Sequence, residues 1–158
     1  METGMLHLHN LLRWVILILL IISIAKAYTG WKQGRSFSQG DRRIWLFTLI
    51  ASHTMLVVGI YQWLAGRYGM LKTTLPEGES VMSSKFFRFF WVEHPLLMTI
   101  AIILITLAYG KAKKPIADLQ KYKHAFWLFV VALLLILVAI PWPFREVIGE
   151  NRGWLPGM

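Results

Sequence analysis

The chain has 158 residues, 56% of them hydrophobic, with 17 basic against 8 acidic side chains and a net charge of +9. Its charges are pushed between long apolar runs, and its mean hydropathy is +0.53. This excludes both a soluble enzyme with a water-facing cleft and a disordered chain. The basic residues flank the apolar runs, where such charge sets topology and meets anionic lipid, so nucleic acid is not expected as a partner. With no cysteine in the chain, disulfides, thiolate zinc sites, iron–sulfur clusters and c-type haem attachment are excluded together.

Four apolar runs follow one another: Leu11–Ala25, Ile44–Leu64, Phe86–Ala108 and Ala125–Trp142. With its interfacial ends, each reaches the ~20 residues a helix needs to cross hydrocarbon. Lipid admits only helices and closed barrels, and these runs lack the alternation of barrel strands. The sequence therefore predicts an all-α fold, a single domain over 1–158. Its form is a four-helix up-down-up-down transmembrane bundle with helices over about 5–29, 43–65, 85–110 and 124–142. The first helix has no basic leader or small-residue cleavage site and is expected to remain in the mature protein. Short connections rich in Gly and Pro (30–43, 66–84 and 111–123) impose the alternating threading. Ten basic residues fall at the first and third connections with Asp41 and Asp118, and seven fall at the other end with six acidic residues. The expected location is a bacterial inner membrane with both termini outside.

Within the first helix, His9 and Arg13 stand four residues apart on one face with Ser23 close to it, an inward polar stripe in an aliphatic helix. His7 points away from that stripe, toward the interface. The second helix holds His53 almost at its midpoint, where an imidazole is expensive unless it functions. The third holds Glu93-His94-Pro95; Pro95 lacks an N–H, so a carbonyl in the preceding turn must find another donor, and the resulting kink can aim His94 inward. Glu93, near the outer interface, is a candidate proton relay or a partner for Arg88 or Arg13. His124, at the inner end of the fourth helix, reads as interfacial. Depth arithmetic at ~1.5 Å per residue leaves both His53–His94 and His9–His94 open as pairs, each mismatched by about 7 Å.

Two imidazoles without thiolates or a third close ligand do not make a zinc site, and no methionine cluster favours copper. A b-type haem needs two axial nitrogens, an apolar slot and a basic group for its propionates, for which Arg13 and Arg88 are candidates. Ala101 and Ala108 recur on the face of His94, either making room for a macrocycle or packing helices.

The stretch Leu6-His7-Leu8-His9-Asn10-Leu11-Leu12-Arg13-Trp14, mid-helix His53 and Glu93-His94-Pro95 together resemble small bacterial four-helix integral membrane proteins described as cytochrome b-like. The resemblance spans all four helices in layout. It implies histidines on different helices as axial ligands of haem b, with His53 and His94 first and His9 third. It also implies electron exchange with quinone or a redox partner protein. Without a second matched pair, one haem is expected rather than two. The alternative is a non-catalytic membrane subunit or anchor of a larger complex.

Overall fold

The computed structural model describes residues 2–146, 148 and 154 of the chain. Four helices span the length of the molecule: α1 (Glu2–Gln33), α2 (Gln39–Ala65), α3 (Lys85–Ala112) and α4 (Asp118–Ala139). Among the described residues there is no strand. All four helices are long and apolar enough to cross a membrane, and the protein is a multi-pass membrane protein.

The bounds of α1, α2 and α4 differ most from the sequence expectation. Helix α1 runs on through Gly30 to Gln33 and stops at Gly34, whose φ of 62° forms a left-handed cap with Arg35 N–H reaching back to the Gly30 carbonyl at 3.1 Å. Helix α2 starts early because Ser38 and Asp41 form a reciprocal capping box. Helix α4 starts at Asp118 and ends at Ala139, ahead of Pro141.

The helices alternate in direction. Lys26 near the end of α1 bonds Asp41 at the start of α2, and Trp63 near the end of α2 bonds Trp91 near the start of α3. Around the bundle, α1 packs on α2 and α4, and α3 packs on the same two, so α1 and α3 face each other across a diagonal. The interior is filled by Leu20, Trp45, Ile105 and Phe129, all essentially inaccessible. Leu11, Ile18, Ile50, Val57, Ile103 and Leu134 lie on the outer surface, as expected where the solvent is hydrocarbon.

Ala101 and Ala108 of α3, and Ala125, Ala132 and Ala139 of α4, are fully buried. Their seven-residue spacing lets the two helices approach closely in the manner of small-residue contacts in membranes. The buried hydroxyl pair Ser23–Thr48, 2.9 Å apart, joins α1 to α2. Arg13 and Ser23 are both buried, so the polar stripe of α1 faces inward.

Candidate functional site

Pro95 shapes the site. Its missing N–H leaves the Trp91 carbonyl, four residues back, without a helical donor. Trp63 Nε1–H of α2 fills that role at 3.0 Å, while the Trp91 indole N–H donates to the Tyr68 carbonyl at 2.8 Å. Phe89–Glu93 takes a π-helical turn, and the His94 N–H bonds the Phe89 carbonyl five residues back. Such turns insert one extra residue into a helix and re-aim the side chains that follow.

His94 Nδ1 lies 2.7 Å from the carbonyl of Ala139, the last residue of α4. The helix ends here, with Ile140 already extended, so this carbonyl has no donor from its own helix. A carbonyl only accepts, so Nδ1 must carry the proton. In the neutral ring this tautomer makes Nε2 the acceptor nitrogen.

Across the diagonal, the ring of His9 lies beside that of His94, with centroids 6.2 Å apart and planes tilted by 48°. Phe89 borders the pair, its ring 5.9 Å from that of His94, and the Arg145 guanidinium covers Phe89 at 4.8 Å. One turn deeper, Arg13 is only 8% exposed. Its Nη2 donates to the Trp154 carbonyl at 2.8 Å, and its guanidinium carbon lies 5.3 Å from the centre of the Trp14 ring. Arg13 Nε is buried without a hydrogen-bond partner, and no carboxylate among the described residues pairs with this cation. At the same end of the bundle, His7 Nδ1 and Gln62 Nε2 are also buried without partners. A helical membrane protein carries such a cluster at considerable cost, and a buried cation with no anion among the described residues is its most expensive element.

The structure places the other sequence candidates elsewhere. The inner face of α2 is defined by buried Thr48, Ser52, Met55 and Val58, and His53 lies outside it, exposed, with Nδ1 donating to its own helix at the Leu49 carbonyl (2.9 Å). His53 therefore points away from the bundle axis. Glu93 is bound by Arg88 Nε at 2.9 Å, both side chains about two-fifths exposed. His124 is exposed at the opposite end. Among the described residues no three His, Asp or Glu side chains converge as a metal site.

One cluster was not anticipated from sequence. The Asp41 side chain is wholly buried and bonds Lys26 Nζ (2.9 Å), Tyr122 Oη (2.6 Å) and Ser38 Oγ (2.7 Å). Tyr122 also reaches the Ser36 carbonyl at 3.2 Å, and Asp118 accepts the Phe37 N–H at 2.9 Å. The ring of Tyr122 rests on Gly30, where a Cβ would sit 2.7 Å from Cδ1. These bonds tie α1, α2 and α4 together at the basic end. The available signal was the Ser38-x-x-Asp41 spacing, which is that of a capping box.

Comparison with protein-family models, with curated proteins and with solved structures finds no match to the chain.

Proposed function

We propose that the protein is a membrane-embedded b-type cytochrome holding one haem between His9 and His94. The observation that carries this reading is the His9–His94 pair, which meets across the bundle diagonal with centroids 6.2 Å apart. Two imidazoles this close, on two different helices, could together hold one haem iron. The donor set suits the group in two further respects. The His94 ring is oriented by its Nδ1 bond to the Ala139 carbonyl, and Arg13 supplies a buried cation whose Nε has no hydrogen-bond partner among the described residues. When bound, haem iron would supply reversible one-electron transfer. The residues would have distinct tasks: His9 and His94 would hold the iron, Arg13 would offset the charge of a propionate, and Phe89 would form an apolar wall. Glu93, tethered by Arg88 near the outer interface, would move protons at its carboxylate.

In this reading the protein exchanges electrons between the quinone pool and a redox partner protein. It sits in a bacterial inner membrane with the basic end cytoplasmic and both termini outside. The charge distribution, +8 at one end (ten basic, two acidic) and +1 at the other (seven basic, six acidic), supports that orientation.

Protein purified from haem-replete cells should show a Soret band that shifts on dithionite reduction. His9→Ala and His94→Ala should each abolish or change that spectrum, and His53→Phe should leave it intact. A colourless preparation that gains nothing from added hemin overturns the reading. A second reading, a non-catalytic anchor subunit, draws on the bond from His94 to the Ala139 carbonyl, a purely structural service. It predicts that His94→Gln keeps assembly and that the protein co-purifies with stoichiometric partners.

A further inference from the structure

We propose that His53 and Thr54 form a lateral site on the lipid-facing side of α2 that takes a membrane-dissolved quinol and discriminates against the oxidised quinone. This deepens the reading above by naming where a lipid-phase partner meets the protein, although the binding chemistry rests on α2 alone.

Position comes first. His53 stands near the middle of the 27-residue α2 and is exposed, next to Ile50 and Val57, which are 51% and 69% exposed. An imidazole opening sideways into hydrocarbon is costly unless something there engages it. Leu49, Ile50, His53, Thr54 and Val57 line a shallow, open depression on this face.

The polarity of the groove then selects the occupant. His53 Nδ1–H is committed to the Leu49 carbonyl, so Nε2 of the neutral ring is an acceptor. The Thr54 hydroxyl hydrogen is committed to the Ile50 carbonyl at 3.0 Å, leaving only lone pairs. The groove therefore presents acceptors and no side-chain donor. Its complement is an apolar ring bearing O–H groups, soluble in the bilayer. A quinol has these hydroxyls; the corresponding quinone has carbonyls, which set acceptor against acceptor. A second copy meeting this one with His53 on a two-fold axis faces the same objection, since it would oppose two His53 acceptors at one depth. Acyl chains carry no donor.

The test uses the full chain in phosphatidylcholine nanodiscs with a short-tailed benzoquinol, held anaerobically, and the matching benzoquinone. Saturable quinol binding should be at least about tenfold tighter than quinone binding, the worth of one hydrogen bond made rather than opposed. Histidine labelled with ¹⁵N should report the bond as a shift at His53 Nε2. His53→Phe, on an exposed face where it disturbs no packing, should bring quinol binding down to the quinone level. His53→Gln, whose amide oxygen can accept, should keep part of the preference. Equal affinity for the two forms, absence of saturable binding, or an unchanged preference in His53→Phe overturns the proposal. So does a dimer that His53→Phe dissociates in a protein showing no quinol preference, since a second copy then covers the face. His94→Ala separates the two claims: it should remove the haem spectrum and leave the quinol preference. A wild-type protein lacking a Soret band but showing a His53-dependent preference would sink the haem reading alone.

Discussion

Two residues that look alike in sequence, His53 and His94, differ in what their carbonyl partners do. His53 bonds a carbonyl of its own helix, already part of the helical ladder, whereas His94 bonds a carbonyl that the end of α4 leaves without a donor. The first bond orients a ring; the second also closes a helix end. Asp41 shows the same principle with charge. A wholly buried carboxylate is tolerable because Lys26, Tyr122 and Ser38 converge on it. Asp41→Asn should therefore destabilise the protein by about 2–3 kcal/mol, below the full value for a buried pair because Lys26 is a third exposed. Tyr122→Phe should cost about 1 kcal/mol through its lost hydrogen bonds. Reversible unfolding in mixed micelles measures both, and Asp41→Asn without effect would show that the cluster is ornamental. Neither Asp41 nor its role was apparent from sequence, because a charge at the end of a membrane helix first reads as a topology signal.

For whole helices, the sequence was informative where backbone chemistry decides and silent where it does not. Pro95 required a substitute donor for a carbonyl in the preceding turn, and the structure supplies it as Trp63 on α2. Trp63→Phe should leave the Trp91 carbonyl unpaired in hydrocarbon, costing about 1–2 kcal/mol. It should also loosen the π turn that sets the aim of His94, visible as a broadened or shifted haem spectrum if the His9–His94 centre is as proposed. An unchanged melting curve would mean that another donor replaces the indole. The outward aim of His53, by contrast, was not legible. A soluble helix marks its inner face by polarity, but a helix in lipid is apolar all round. Here Ile50 and Val57 outside are as greasy as Met55 and Val58 inside. Residue depth could be counted from sequence, but rotation about the axis could not. The pairing of His9 with His94 depends on rotation and on the π turn, so depth arithmetic alone left two pairs open.

At the scale of the molecule, the two ends of the bundle are built differently. The basic end is closed by a buried carboxylate that gathers bonds from α1 and α4, and the other end is held by arginine and indole donors to backbone carbonyls. The absence of native cysteine makes orientation directly measurable. In intact bacterial cells, Ser80→Cys should react with a membrane-impermeant maleimide and Lys114→Cys should react only after permeabilisation. The opposite pattern would invert the proposed topology. The alanine seam has a mechanical consequence. Ala101 and Ala108 lock α3 against Ala125, Ala132 and Ala139 of α4, and the bond from His94 to Ala139 spans the same two helices. His94 is thus carried on a rigid plate, whereas His9 rides on the opening turns of α1, far along that helix from the Lys26–Asp41 bond. The distance between the two rings therefore depends on how α1 is seated against that plate, so a substitution at the N-terminal turns should alter the gap without touching either ring.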